Sequence, residues 1–247
     1  MKKHLVVFGI LVFLTGCQSS GEKKTEEITS IAENNLQQNP MERSVEGNTL
    51  TSIELPEIKI KVDEEFRFLG KFDFEIIASS NEYPDDIIGK PVAAGERLIF
   101  AVVDNANAIE KLFIVQFEGF LSTNDFIYNY NFDNADLIGK NKYRHNTWFY
   151  DGKQSAKENP QGEGAKTQSF LKEKGLFLED HLMMSRFVGL ASEDRKNEII
   201  IFYYEMLKKS TGYSLDEWEN SISRKKAISI DSAFVERSKK SFSIIKG

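Results

Sequence analysis

Residues 143–151 hold the densest group of side chains in this chain that could bind a ligand or carry out chemistry. In an extended strand, alternate residues point to opposite faces. One face would then combine aromatic rings with hydrogen-bond donors, from Arg144, Asn146, Trp148 and Tyr150. Because ligand pockets combine apolar walls with a few polar groups, this pattern is compatible with a binding surface. The alternative is a strand with one core face and one amphipathic outer face, since aromatic residues are favoured in strands generally.

His145 lies in the same stretch and could act as the general base of an enzyme. Imidazole titrates near neutral pH, and a carboxylate such as Asp151 or Asp133 could orient the ring. However, the chain has no GxSxG nucleophile elbow, and no serine stands out by its context. We therefore assign no catalytic residue, and a hydrolase that uses His145 with Asp151 is the second hypothesis.

Arg186 is a further candidate for ligand binding, because an arginine at the start of a predicted strand can recognise an anionic ligand. Arginines at such a point more commonly cap a helix C-terminus or pair with a carboxylate. The adjacent Glu179, Asp180 and His181 lack the spacing of a zinc site, and we interpret them as the solvated start of a helix. Phosphate-binding and dinucleotide-binding motifs are absent as well. We expect no metal ion and no cofactor.

Alternating apolar and polar residues predict the strands that would position these side chains. Such strands are predicted at 58–62, 66–76, 126–132 and 143–149. Two hairpins are predicted as well, with strands at 98–103, 112–117, 186–190 and 198–206. Gly70 interrupts the apolar face of its strand, which indicates a bulge or a bend.

Helix signals are concentrated in the second half of the chain. A helix over 165–174 should end at Gly175, and Ser214 with Glu217 forms a capping box at the start of a short helix. A final helix is predicted over 231–242. We therefore predict a single α+β domain, built on a mainly antiparallel β-sheet with helices mostly in the C-terminal half.

The charge of the chain argues against one large class of partners. Its 247 residues carry a formal net charge of −6 and contain no long basic tract. Because neutralisation of phosphates dominates affinity for nucleic acids, an acidic chain is a poor candidate for binding them. We expect no nucleic-acid partner.

The first residues have the composition of an export signal. Lys2 and Lys3 precede an apolar run over 5–14, which is shorter than the roughly 20 residues that a membrane-spanning helix needs. The stretch Leu14-Thr15-Gly16-Cys17 resembles the lipobox of bacterial lipoproteins. The resemblance implies cleavage before Cys17, a diacylglyceryl group on its sulfur, and acylation of the new amino terminus by a chain such as palmitate.

Two further expectations follow from this resemblance. Cys17 is the only cysteine, so its lipidation leaves no thiol for a disulfide, for catalysis or for a metal site. Gln18 follows it where an Asp would favour retention in the inner membrane, under the enterobacterial sorting pattern. We therefore expect a protein of the cell envelope, with the outer membrane favoured.

The chain divides into three predicted parts: a signal peptide over 1–16, a lipidated N-terminus and flexible tether over 17–50, and a globular domain over 51–247. The segment 18–50 has few large apolar side chains, so its burial cannot offset the entropy lost on ordering. A short helix over 26–37 is compatible with the spacing of its apolar residues.

Together these features favour a non-enzymatic lipoprotein that is held at a membrane through Cys17. It would bind an envelope protein or a polar small ligand through an aromatic-rich surface of its sheet. The candidate ligand-binding residues are Arg144, His145, Trp148, Tyr150 and Arg186. The alternatives are the hydrolase-like envelope enzyme using His145 and a structural or assembly factor.

Overall fold

The computed structural model describes residues 43–79 and 83–246. The signal peptide, Cys17 and the short helix expected over 26–37 lie outside the described residues. The strands are β1 (Arg43–Glu46), β2 (Thr49–Ser52), β3 (Ile58–Val62), β4 (Arg67–Ile77), β5 (Pro91–Val103), β6 (Ile109–Phe120), β7 (Asp136–Ile138), β8 (Asn141–Asp151), β9 (His181–Leu190), β10 (Asn197–Met206) and β11 (Phe242–Lys246).

The α-helices follow β8 and β10 along the chain. They are α1 (Gly152–Glu158), α2 (Glu163–Glu173), α3 (Leu207–Thr211), α4 (Leu215–Asn220) and α5 (Arg224–Lys240), and one short 3-10 helix spans Asp85–Ile87. Within the described residues, no helix is long and apolar enough to cross a membrane.

The strands form two sheets. The larger has seven strands in the order β4-β5-β6-β10-β9-β8-β7, and the smaller has four in the order β1-β2-β3-β11. All pairings between these strands are antiparallel. The predicted α+β class, with a mainly antiparallel sheet and helices mostly in the C-terminal half, is confirmed.

The central strands of the seven-stranded sheet are buried on both faces. This burial explains why their residues are apolar on both sides. On one face, Phe113 and Tyr203 pack with residues of the small sheet such as Ile60 and with Phe234 of α5. We call this the α5 face. The opposite face, which carries Ile114 and Phe202, is covered in part by α2 through Leu171. We call it the α2 face.

Several local predictions are confirmed. Helix α2 spans the expected region and is followed by Gly175, which takes a positive φ of 71°. The capping box of Ser214 and Glu217 starts α4. At Gly70 the pairing of β4 with β5 shifts register, as expected for a bulge.

The predicted strand over 126–132 is wrong, because this segment crosses the α2 face as a loop. Its backbone is held by Arg195 and not by a neighbouring strand. The Tyr128 N–H donates to the Arg195 carbonyl oxygen at 2.8 Å. The Arg195 guanidinium donates to the carbonyl oxygens of Tyr128 and Tyr130, at 2.8 and 2.9 Å. The alternation in the sequence correctly indicated aromatic side chains that pack on the sheet. It did not indicate how the backbone of this segment is paired.

The predicted helix start at His181 is also wrong. His181 is the first residue of β9, which lies between β10 and β8 in the sheet. Burial on both faces explains the run of consecutive apolar residues, because Met183 packs on the α5 face while Leu182 and Met184 pack on the α2 face.

The ordered sheet begins earlier than predicted. The expected boundary at residue 51 falls inside β2, and β1 already pairs with β2 from Arg43 onwards. Leu50 is fully buried in the core on the α5 face. Residues 43–50, predicted as part of the tether, belong to the small sheet, because this hairpin adds apolar contacts that the composition of residues 18–50 as a whole concealed.

Candidate functional site

Strands β8 and β9 carry most of the candidate site residues. In their register, Asn146 lies opposite Arg186, and Arg144 lies opposite Val188. Val188 packs on the α2 face, so Arg144 and Arg186 are diagonal neighbours on that face. Both side chains are partly buried.

Tyr130, in the loop over the α2 face, interacts with both arginines. The Arg144 guanidinium carbon lies 4.9 Å from the centre of its ring. Burial raises the pKa of Tyr130, as does the negative charge of Glu198, while the positive charge of Arg186 lowers it. The same tyrosine therefore receives one guanidinium against its ring and interacts electrostatically with the other.

Trp148 and Tyr150 do not join this arrangement as the strand pattern predicted. The Tyr150 ring packs against Tyr204, with centroids 5.9 Å apart. Trp148 instead lines a groove between β8 and the helices α4 and α5. The predicted face thus divides into separate environments, because α1 and α2 cover its far end.

This groove has a volume of about 340 Å³. Its apolar lining comes from Trp148, Phe149, Met183, Trp218, Ile228 and Phe234. The Thr147 hydroxyl donates a hydrogen bond of 3.1 Å to Asp231 across it. A mostly apolar lining that includes two tryptophans and one carboxylate suits an apolar side chain that belongs to a larger ligand.

His145 is the centre of a chain of polar contacts on the α5 face. Its Nδ1 lies 3.2 Å from Asp136 Oδ2, and its Nε2 lies 2.8 Å from Ser185 Oγ. Ser185 in turn contacts Ser238 of α5 at 3.0 Å. The imidazole stacks on Phe187 at 4.2 Å between centroids. These contacts connect β7, β8, β9 and α5.

The protonation of His145 follows from this geometry. Burial lowers its pKa, and the nearby Lys239 adds to the effect, whereas Asp136 opposes it. The ring is therefore neutral at pH 7. Because a carboxylate only accepts hydrogen bonds, Nδ1 carries the proton in the contact with Asp136.

Asp136, His145 and Ser185 have the order of an acid–imidazole–hydroxyl triad, but the hydroxyl is enclosed. Ser185 has an exposed fraction of 0%, so no substrate carbonyl can reach its oxygen. The arrangement serves to connect layers of the fold. Asp151, the predicted partner of His145, instead accepts a hydrogen bond from the backbone of Gln154 at the start of α1 and lies 3.7 Å from His181. Asp133, the other suggested partner, contacts Asn131.

A buried acidic pair was missed by the sequence analysis. Glu118 on β6 lies directly opposite Glu198 on β10, and their exposed fractions are 9% and 1%. Tyr128 donates a hydrogen bond of 3.2 Å to Glu118, and Gln116 donates another. Burial and the adjacent Glu118 raise the pKa of Glu198 well above the ordinary value. The sequence did contain a signal for this pair, because Glu118 lies near the end of the largely apolar β6 and Glu198 near the start of the largely apolar β10.

A second buried carboxylate is paired. Glu205 on the α5 face accepts two hydrogen bonds of 2.7 Å from Arg237 and further ones from Ser210 and Tyr203. Burial alone would raise its pKa, but these donors lower it. The pair closes a charged hollow of about 210 Å³ beside Lys111 and Lys209. Both lysines are themselves paired with glutamates, Glu65 and Glu110.

No group of three or more histidine, cysteine or carboxylate side chains within residues 43–79 and 83–246 could hold a metal ion. This finding concerns only that part of the chain.

In the comparison with known proteins, only the first residues of the chain match a family model. The family model for a prokaryotic membrane lipoprotein lipid attachment site matches residues 1–18. The protein is a lipid-anchored envelope lipoprotein. The match contains Cys17, so the anchor of this lipoprotein is attached at that residue. No curated protein and no solved structure matches the chain.

Proposed function

We propose that this lipoprotein is a non-enzymatic binding module that holds an extended segment of another envelope protein along the outer edge of β8. The observation that supports this proposal most strongly is the apolar groove between β8, α4 and α5. It runs beside the part of β8 after Tyr143, where the outer edge pairs with no strand of residues 43–79 and 83–246. The lipid anchor keeps the module at the membrane where such a partner would be found.

The edge of β8 offers backbone groups to a partner. Strand β7 pairs only with the first three residues of β8, ending at Tyr143. From Arg144 to Asp151, β8 has β9 on one side and no other strand of the described residues on the other. An exposed edge of this kind presents unpaired N–H and C=O groups, which an extended peptide can pair with by adding a strand.

The groove beside this edge offers the side-chain contacts. Trp148 is 39% exposed and Ile228 is 57% exposed, so both present apolar surface to solvent beside this edge. Trp218 lines the groove with them. Tryptophan is enriched among the residues that dominate binding energy at protein interfaces. Backbone pairing would supply affinity, and the groove would select an apolar side chain.

The enzyme hypothesis has less support. His145 does have a carboxylate partner, Asp136, but Ser185 is enclosed, so the polar chain offers no accessible nucleophile. A purely structural or assembly role would leave the exposed Trp148 and Ile228 without a contact. For the membrane, we propose the outer membrane, because Gln18 follows Cys17 where the inner-membrane pattern has an aspartate.

Site-specific photocrosslinking in living cells tests the binding proposal. A photoreactive amino acid would replace Trp148 in one variant and Ile228 in another. Ile53 and Ile245 are matched control positions, because they are similarly exposed but lie on or beside the small sheet. We expect the two groove positions to capture the same protein and the control positions not to capture it.

A second measurement tests the binding mode. A peptide covering the crosslinked segment of the partner should protect backbone amides between Arg144 and Tyr150 from hydrogen exchange. Absence of a specific crosslink at both groove positions, or equal capture at the controls, would contradict the proposed function. Crosslinking without protection of β8 would contradict strand addition.

A further inference from the structure

The arginines of the described residues fall into three groups. Arg43, Arg97, Arg195 and Arg237 donate hydrogen bonds to other parts of the chain. Arg67 and Arg224 are exposed. Arg144 and Arg186 form the third group: they are partly buried, and no residue of the described chain forms a hydrogen bond or an ion pair with either.

Partly buried guanidinium groups without hydrogen-bond partners lower the stability of the fold unless a ligand binds them. A guanidinium has five N–H donors and stays charged at every physiological pH. The Arg186 Nε atom is enclosed and has no acceptor within the described residues. A buried donor without a partner loses its hydration without compensation, which costs about 1–3 kcal/mol, and more for a charged group.

The two arginines converge on one place. They are diagonal neighbours on the α2 face of β8 and β9, close enough for long side chains to approach the same ligand. Tyr130 contacts Arg144 with its ring and interacts electrostatically with Arg186. Asn146, exposed and directly opposite Arg186, adds an amide donor beside them.

The carboxylates beneath do not neutralise this charge fully. Glu198 is the acidic group that acts on both Arg186 and Tyr130, and its side chain faces Glu118. Burial and Glu118 raise the pKa of Glu198, which favours its neutral form. The Arg186 charge thus acts on an acidic pair that tends to hold a proton.

We propose that Arg144 and Arg186, with Asn146, form a binding site for an oxyanion group, a phosphate or a carboxylate of a small ligand. The planar fork of arginine matches both groups through paired N–H donors. Partial burial strengthens each contact, because the effective dielectric is lower than in water. The Tyr130 ring holds Arg144 in place before the ligand arrives. The site lies on the α2 face and does not depend on the peptide groove.

Isothermal titration calorimetry on the purified lipidated protein in uncharged detergent tests this proposal. The probes are inorganic phosphate, pyrophosphate and citrate at constant ionic strength, so that general screening does not change. We expect saturable binding of at least one probe. Preference for the phosphates or for citrate tells which source of the oxyanion the site accepts.

Variants distinguish a built site from general charge. Arg144→Gln and Arg186→Gln should each weaken binding by about tenfold or more, because each removes charged hydrogen bonds. Arg67→Gln removes the same charge from an exposed position on β4 and should bind as the wild type does. Where Arg186→Gln does not fold, Arg144→Lys keeps the charge, loses the fork, and should still bind more weakly. Absence of binding for all three probes, or equal binding by the arginine variants and Arg67→Gln, would overturn the proposal.

Discussion

Glu118 and Glu198 lie directly opposite each other on two central strands, and both carboxyl groups are buried beneath the loop that carries Tyr128 and Tyr130. Like charges in such a pair repel each other strongly in a medium of low dielectric, so one group keeps a proton. The folded state therefore binds protons more tightly at this pair than the unfolded chain does.

Replacing Glu198 by Gln should stabilise the protein at neutral pH. Because the folded-state pKa of Glu198 is raised, the folded state holds more protons than the unfolded state as pH rises above the ordinary range of glutamate, and stability falls. Glutamine keeps hydrogen-bonding capacity and removes this dependence. Urea unfolding at a series of pH values measures it, and an unchanged slope in Glu198→Gln would contradict the raised pKa. Glu75→Gln, at an exposed site on β4, should change stability by less than about 0.5 kcal/mol.

Arg237→Gln should destabilise the domain by about 2–4 kcal/mol, because it leaves the buried carboxylate of Glu205 without its cationic partner. The hydrogen bonds to Glu205 lower its pKa, so the wild-type pair stabilises the fold above the ordinary pKa of glutamate, and this contribution is lost as pH falls. The variant should therefore lose most stability near neutral pH. Denaturant unfolding measures the difference, with Arg224→Gln at an exposed helix start as control. Equal stability of the two variants would contradict the assigned role of the pair.

His145 should make stability depend on pH on the acidic side. Its folded-state pKa is lowered, chiefly by burial, so stability is complete above the ordinary histidine value of about 6.5 and decreases as pH falls. Asp136→Asn removes the charge that opposes this effect and should move the NMR titration of His145 to lower pH. His145→Gln should lower the free energy of unfolding by about 1–2 kcal/mol at neutral pH. It should also make stability less dependent on pH on the acidic side. A His145 titration that moves to higher pH in Asp136→Asn would show that the contact is misassigned.

Cys17→Ser should release the protein from membranes, because the attached acyl chains supply the membrane affinity. Fractionation of cells into membrane and soluble parts measures this release. The groove and the arginine site are far along the chain from residue 17, so phosphate or citrate binding by the released protein should match that of the anchored form. Continued sedimentation of the variant with membranes would point to a second attachment.

Much of the fold could be predicted because the relevant signals are local. The capping box of Ser214, the turn at Gly175 and the alternation along β8 each depend on a few neighbouring residues. These signals place elements in sequence, and antiparallel hairpins then follow from short connections. These local signals do not determine which strands are neighbours in the folded sheet.

The candidate site depended on that missing information. Asp136 is the partner of His145 only because the short strand β7 turns back on β8. Glu118 and Glu198 are far apart in sequence and become neighbours through the β6–β10 pairing. Arg144 and Arg186 were recognised as candidates by residue type, but their interactions with Tyr130 need the long loop over the α2 face.

The small sheet starts at Arg43, and this starting point limits how far the domain can travel from the bilayer. Twenty-six peptide units separate Cys17 from Arg43, and a chain covers at most about 3.6 Å per residue, which gives a ceiling of roughly 90 Å. A partner held by β8 must therefore present its segment within that distance plus the span of the folded domain from Arg43 to β8. Shortening the stretch between the two residues would draw the reachable volume inward without altering either binding surface.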